Sequence, residues 1–340
     1  MDNILESINF SKEMSVAMFA ALENNPHPNP KVGAALYDIK GNLKYTASHE
    51  KKGSNHAEID ILNNNKIDPT DTLYVTLEPC FHDDTSPSCA KKLASSKIKN
   101  IIIGDIDSDP RTNGKGYKHL IDNEINVKIE KGVNEFLNPY YKDKSNQDSP
   151  VYSGKLGMSY NNFIYDSNSK NKYITNDHSL NITHLLRGVN DAILIGKNTF
   201  LIDKPLLTIR SKYFINSNNI PLKIVLWGSD VPKDILNNSN YDDFLFIESK
   251  DIDVIDDFLN NMKCKSVLVE GGKDIHNFFI DNNKYSYFYE FKSKNHIKEG
   301  LNIGTKYIDF IITKWFYLIN FYYKIMSLEL ILIVNVYRNY

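Results

Sequence analysis

Four residues stand out for the chemistry they could do: His56 and Glu58 in SNHAEIDIL, and Cys80 and Cys89 in VTLEPCFHDDTSPSCAKKL. The chain has only three cysteines, and two of them fall in this one stretch. Two thiolates and an imidazole form a zinc donor set, and three protein ligands leave the fourth tetrahedral position to water, as in catalytic zinc sites. A zinc ion so held lowers the pKa of its bound water towards ~7. Glu58 lies two residues past His56. As a carboxylate beside the metal rather than a ligand to it, it is suited to moving protons between that water and a leaving group. Two thiols alone could be core residues; His-x-Glu upstream and Pro79 before Cys80 favour the metal reading.

The elements that must position these groups are legible. AEIDILNNN and CAKKLASSK read as helices, so His56 and Cys89 stand at helix starts, where the dipole favours a thiolate. TLYVTL reads as a strand running into the site. Around them, ILESINFSKEMSVAMFAALEN is helix-like, and VGAALYD and LKYTASH flank IKGN as a hairpin. IKNIIIGDID, GYKHLIDNE and INVKIEKG follow as strand, helix and strand, an α/β alternation. The polar stretch NPYYKDKSNQDSP (138–150) reads as a linker, separating a first domain, 1–146, from a second, 150–340. In the second, VYSGKLGMSY and FIYDS flank Asn161-Asn162 as another hairpin, SLNITHLLRGV is helical, and DAILIG, LKIVLWG and SVLVEGG are buried-strand types. The halves do not resemble each other.

The bulk properties exclude some classes. Net charge is −2, from 40 basic and 42 acidic residues, well mixed and without the basic stripe of a nucleic-acid binder. Three cysteines argue against a disulfide framework, and the first residues lack a secretory pattern, so a reducing cytoplasm is the expected setting. The apolar C-terminal run is interrupted by Asp309, Lys314, Asn320, Lys324 and Glu329. It never reaches the roughly 18 uncharged residues of a membrane span, so we read it as terminal strands, with no membrane partner.

Zinc deaminases acting on bases carry His-x-Glu followed by Pro-Cys-x-x-Cys, with the Glu as acid/base. Here HAE and EPC are present, but eight residues separate Cys80 from Cys89. With that gap, HPNPKVGA (27–34), HEKKGSNHAEI (49–59), YVTLEPCFHDDTSPSC (74–89) and DSDPRTNGKGY (107–117) make the chain resemble, over roughly residues 10–280, the bifunctional riboflavin-biosynthesis deaminase–reductases. The resemblance implies a cytidine-deaminase-like three-layer domain followed by a dihydrofolate-reductase-like domain, and a homo-oligomer. It implies a small phosphorylated substrate, a diamino-pyrimidinone bearing a phosphoribosylamino group, attacked at its amino-bearing ring carbon with loss of ammonia. Asn29 and His49 would lie near the pyrimidine. The family's basic residue before the second cysteine is replaced at Thr85, beside Asp84.

The second half has no G-x-G-x-x-G, which argues against a Rossmann site. Its GKLGMS (154–159), YIT (173–175), LLRGVNDAILIGKNTFLIDKPLLTIR (185–210) and VLVEGGKDI (267–275) resemble the family's reductase domain. NADPH is then implied near Gly157, Tyr173, Thr199 and Asp203, and along Gly272, Lys273, Asp274, Ile275, His276, Asn277 and Phe278. Gly271 and Gly272 offer bare backbone N–H groups to a pyrophosphate. Substrate is implied near Asn171, Arg187, Leu207, Arg210 and Glu270, the arginines suiting the ribose phosphate. The implied reaction is hydride transfer to the ribosyl C1′, opening it to a ribitylamino chain. Lys204, Trp227 and Ser286-Tyr287 depart from the family pattern, and the match fades beyond about residue 285. A zinc deaminase with an inactive second domain and, further off, a nucleic-acid base deaminase are the rival readings.

Overall fold

In the computed structural model the described residues are 10–26, 29–82, 88–141, 149–169, 174–175, 177–210 and 219–304, with strand backbone at 319–321 and 334–338. The first half contains α1 (Lys12–Ala21), β1 (Gly33–Tyr37), β2 (Leu43–Ser48), α2 (Ala57–Asn64), β3 (Thr72–Val75), α3 (Cys89–Ala94), β4 (Asn100–Ile103), α4 (Lys115–Asp122), β5 (Asn126–Ile129) and α5 (Val133–Leu137). The strands form one sheet in the order β2-β1-β3-β4-β5. β1 is antiparallel to β2 and β3, whereas β3, β4 and β5 are parallel.

Side-chain alternation along β1 builds the layers, because successive residues of a strand face opposite sides. Ala34 and Leu36 pack with Ile61 of α2, Leu93 of α3 and Leu120 of α4, while Ala35 and Tyr37 pack with Met14 and Ala17 of α1 and Phe136 of α5. The result is the three-layer arrangement expected. Gly33 is required by the closeness of α1: a Cβ there would stand 2.1 Å from the Ala17 carbonyl oxygen. The β1–β2 hairpin turns at Gly41, φ 79°, the left-handed region that glycine adopts without steric cost.

The second half contains β6 (Val151–Met158), β7 (Phe163–Asp166), α6 (Asp177–Val189), β8 (Ala192–Gly196), α7 (Lys197–Asp203), β9 (Leu222–Leu226), α8 (Lys233–Leu236), β10 (Phe244–Ile247), α9 (Ile252–Asn261), β11 (Ser266–Glu270), α10 (Lys273–Asp281), β12 (Tyr285–Lys292), β13 (Gly300–Asn302), β14 (Ile319–Phe321) and β15 (Val334–Arg338). Its main sheet runs β10-β9-β8-β11-β6-β12-β15-β14. The strands from β10 to β12 are mutually parallel, and β15 and β14 add antiparallel at the edge. The C-terminal run therefore does contain strands, as expected, and no described helix is long and apolar enough to cross a membrane.

Two expectations need correction. β6 and β7 do not form a hairpin ladder. Asn162 (φ 67°) makes the tight turn, and Ser159 N–H donates to Phe163 O at 2.8 Å. Both edges of β6 are already taken by β11 and β12, however, so β7 pairs with β13 instead. The stretch 138–150 is also not a solvated linker throughout. Asn138 is fully buried and its side chain closes on the Lys31 backbone, accepting from the N–H at 2.7 Å and donating to the C=O at 2.9 Å. Residues 142–148 of that stretch lie outside the described residues.

Candidate functional site

In the first half, β3 ends beside the starts of α2 and α3, and this brings His56, Cys80 and Cys89 together. His56 caps α2 with extended backbone (φ −72°, ψ 155°) and makes no side-chain cap bond, so its ring is free to face inward. Cys89 opens α3 behind Ser88, whose hydroxyl accepts from Lys91 N and donates to Cys80 O at 2.7 Å. The His56 Nδ1 lies 3.2 Å from Cys89 Sγ and 3.7 Å from Cys80 Sγ, and the three donor atoms are mutually within 4.8 Å. Zn–N and Zn–S bonds of ordinary length at tetrahedral angles put N and S about 3.5 Å apart, so the triangle fits a zinc ion.

The charges fit as well. Burial pushes the Glu58 carboxyl up, and its Oε2 is buried with no hydrogen-bond partner among the described residues. Such an orphaned atom costs free energy unless something fills the space before it, and the metal cage adjoins it. The Cys80 thiol is pulled down to about 4, chiefly by the hydrogen bond from Cys89, and the His56 ring is pushed up to about 9 by its bond to Cys80. His56, Cys80 and Cys89 would hold zinc as neutral imidazole and thiolates.

The expected pyrimidine neighbours converge on this centre. His49 is 3 % exposed and its ring meets that of His56 edge-on, centroids 4.9 Å apart. Burial pushes its pKa down, so the ring is neutral at neutral pH. With Nδ1 donating to Asn55 O (3.1 Å), Nε2 accepts from Asn29 Nδ2 (2.9 Å). Asp84 and Thr85 lie outside the described residues.

Glu78 organises the opposite wall, and the sequence reading missed it. Its buried carboxylate accepts from the backbone N–H groups of Asp107 (3.0 Å), Gly114 (2.9 Å) and Tyr117 (2.8 Å), binding the segment 107–117 to the Pro79-Cys80 turn. Gly116 packs so closely there that a Cβ would stand 2.1 Å from Pro79 O. The signal available was the acidic residue immediately before Pro-Cys.

In the second half the candidate cleft lies beyond the C-terminal ends of β8 and β11, where open parallel sheets bind ligands. Arg187 and Glu270 do meet, but as a bidentate ion pair: Nε to Oε1 at 2.6 Å and Nη2 to Oε2 at 2.9 Å. Arg187 Nη1 also donates to Thr208 O at 2.9 Å. Burial pushes Glu270 up, but the Arg187 guanidinium and then Lys155 outweigh it and leave the carboxyl lowered. Lys155 on β6 is a cation the sequence reading passed over; burial lowers its pKa, while Glu270 opposes that shift. His184, down to about 4 through burial and the neighbouring Arg187 and Arg210, is neutral and accepts the Arg210 N–H at 3.2 Å. Arg210 is exposed.

The glycine turn after β11 is closely packed. Gly271 has φ 152°, and a Cβ there would stand 2.8 Å from Ile275 Cγ2 and 3.3 Å from Thr199 Oγ1, so Gly196, Thr199 and Gly271 form one cradle at the start of α10. A cradle of bare backbone at a helix N-terminus is an anion site. Gly157 lies on β6 with Thr175 beside it, and Asp203 is exposed at the end of α7. Gly272, Lys273 and Asp274 line the outer first turn of α10, and Asn277 and Phe278 are half-buried. The Ile275 and His276 side chains point into the core instead, and Leu207, 2 % exposed, packs with Phe200 and Trp227. The His276 Nδ1 meets the Tyr285 hydroxyl at 2.7 Å, and its backbone N–H donates to Gly272 O. Asn171 and Tyr173 lie outside the described residues. Of the family departures, Lys204 caps α7 in the left-handed region (φ 45°), and Trp227 fills the core beneath a Lys197 ammonium 5.0 Å from its ring centroid.

A His-Cys-Cys cluster with an adjacent buried carboxyl, on a three-layer α/β domain, defines a zinc-deaminase-type module; the second, largely parallel sheet defines a separate module fused to it. The comparisons divide the chain the same way. The family model of the cytidine and deoxycytidylate deaminase zinc-binding region matches residues 9–105, and that of the RibD C-terminal domain matches residues 155–285. A diaminohydroxyphosphoribosylamino-pyrimidine deaminase of Buchnera aphidicola is 41 % identical over 103 residues, covering 30 % of this chain and 69 % of that protein. The riboflavin biosynthesis protein RibD of Aquifex aeolicus is 32 % identical over 205 residues, covering 59 % of this chain; the match spans 56 % of that relative's length. A crystal structure of a Thermotoga maritima deaminase/reductase shares the fold, with TM-score 0.64 at 24 % identity over 96 % of this chain and 97 % of that one. The chain belongs to the bifunctional riboflavin-biosynthesis deaminase–reductase family.

Proposed function

We propose that this chain catalyses two steps of riboflavin biosynthesis: hydrolytic deamination of a diamino-(phosphoribosylamino)pyrimidinone in the first domain, then NADPH-dependent reduction of its ribosyl group to ribityl in the second. The observation that carries the reading is the cage of His56, Cys80 and Cys89 beside the unpartnered Glu58 Oε2. Bound zinc supplies Lewis acidity that makes a water acidic near neutral pH. Glu58, its carboxyl raised by burial, takes the proton of the attacking water at Oε2 and delivers it to the departing amine, so that water enters and ammonia leaves. Asn29 and neutral His49 hold the pyrimidine ring over the cage.

In the second domain, Arg210 and the arginine of the Arg187–Glu270 pair provide cationic donors for the substrate phosphate, with Lys155 close by. NADPH, when bound, supplies the hydride; Gly157, Tyr173, Thr199, Asp203 and the turn from Gly272 to Phe278 would hold it. A homo-oligomer and a cytoplasmic setting are part of this reading.

Glu58→Gln tests the deaminase. Ammonia release should fall by about 10²–10⁴-fold, the range of general acid–base catalysis, with about one zinc per chain retained. Unchanged turnover in the zinc-loaded variant would refute the proton-transfer role. Oxidation of NADPH on addition of the deaminated intermediate tests the second domain; none in folded protein would leave a deaminase with an inactive partner.

A further inference from the structure

Lys31 is fully buried, which is rare for a lysine. Its ammonium leaves the first domain altogether. Nζ donates to Val189 O at 3.0 Å and lies 3.5 Å from Asp191 Oδ1, at the junction of α6 and β8 in the second domain. Asp191 is held rigidly from its own side: Oδ2 accepts from Lys265 N (2.9 Å), Ser266 N (3.1 Å) and Ser266 Oγ (3.2 Å). The Lys31 backbone is equally constrained, since Asn138 satisfies both its N–H and its C=O. A buried cation costs several kcal/mol to desolvate, so an ion pair there is a weak stabiliser compared with packed apolar side chains. What such a pair can do is specify position.

The position it specifies is that of the pyrimidine-binding segment. Two residues before Lys31, Asn29 donates to the His49 ring; one residue after it, Val32 O accepts the His49 N–H at 2.9 Å. Lys31 thus lies between the two contacts that seat His49, and its only charged partner among the described residues belongs to the other domain. We propose that the Lys31–Asp191 pair is a positioning device, by which the reductase domain sets the placement of Asn29 and His49 and so the substrate affinity of the deaminase. Lys31 and Asp191 touch no reacting atom; they act through Asn29 and His49. The inference rests on the deaminase reading given above.

The test is a double-mutant cycle on the full-length, zinc-loaded protein, using Lys31→Met, Asp191→Asn and the double variant, with both half-reactions assayed separately. Displacing a positioning group by ~1 Å can cost up to about 10²-fold. Each single variant should therefore raise the deaminase KM by about tenfold and leave kcat within about twofold, the pattern of lost uniform binding. Zinc content and the KM of the reductase half-reaction for the deaminated intermediate should not change. The double variant should be no worse than the worse single one, because each member acts through the other. A folded Lys31→Met protein with wild-type deaminase KM overturns the inference, and so does an equal loss in both half-reactions, which would mark the pair as a docking contact only. If Lys31→Met does not accumulate, Lys31→Gln, which keeps a donor for Val189 O, is read by the same criteria. Wild-type protein that releases no ammonia would instead overturn the deaminase reading, and this inference with it.

Discussion

Arg187→Met should destabilise the second domain by about 3 kcal/mol. The guanidinium makes two charge-assisted bonds to Glu270, at 2.6 and 2.9 Å, and both side chains are only 11 % exposed. Removing one member of a buried pair leaves the other charge uncompensated, which costs about 3–5 kcal/mol. Lys155 also favours the ionised Glu270 carboxyl, which places the loss at the lower end of that range. At about 2–4 °C per kcal/mol for a domain of this size, the unfolding midpoint should fall by about 6–12 °C. The pH dependence follows in sign. Glu270 is depressed in the fold, so its contribution is present above the unfolded carboxyl value of about 4.3 and is lost as pH falls through the folded one. The gap between wild type and variant should narrow on acidification for that reason. Calorimetry or denaturant unfolding of Arg187→Met and Arg187→Met/Glu270→Leu across pH 4–8 measures this, and the double variant should recover stability. A loss under about 1 kcal/mol in the single variant, the value of an exposed pair, would refute the argument from burial, as would a double variant less stable than the single one.

Chelation should abolish ammonia release while leaving NADPH oxidation with the deaminated intermediate intact, because the cage lies wholly in the first domain; parallel assays before and after chelation check this. Gly116→Ala should loosen the metal turn. Its Cβ would meet backbone at Pro79 O, which cannot rotate away, and such overpacking costs about 1–3 kcal/mol. Competition with a chromogenic chelator should show faster zinc loss than from wild type, and an unchanged rate would show that the 107–117 segment does not brace Cys80.

The parts of the site that could be read in sequence are those whose chemistry is local. His-x-Glu places the candidate ligand and the proposed proton carrier at one helix start, and a cysteine at each end of a short loop completes the candidate cage, so its members could be picked out from residue type and spacing. Glu78 escaped notice because it acts on backbone N–H groups about 30–40 residues further on, and backbone donors have no letter in a sequence. Lys155 read as an ordinary strand lysine because what makes it unusual, burial beside Glu270 and Arg187, arises from β6 lying between β11 and β12. The same arrangement defeated the expected β6–β7 hairpin. The turn chemistry at Asn161-Asn162 was right, but turn residues do not show whether a strand has a free edge. Leu207 was assigned to substrate on resemblance, and its side chain packs in the Phe200–Trp227 core, a placement that its residue type does not distinguish from a surface contact.

The boundary near residue 146 shows why a polar stretch in sequence is an unreliable guide to independence in space. Met14, Ala17 and Met18 of α1 and Phe136 and Leu137 of α5 share one buried cluster with Ile182, Leu185 and Leu186 of α6 and with Leu268, Tyr289 and Phe291 of the second sheet. Each half therefore completes its core with residues of the other. Asn219 adds a polar tie, its Nδ2 donating to Gly188 O and to Leu22 O across the junction. The Buchnera relative pairs with only 30 % of this chain. The cage needs α2, α3 and β3, none of which contributes to the shared cluster beyond Tyr74 at its margin. The face of α1 in the shared cluster and the buried Lys31 side chain do need the partner. In this chain the candidate metal cage thus lies in the sheet layer facing α2 and α3, while the layer facing α1 and α5 belongs as much to the second domain as to the first.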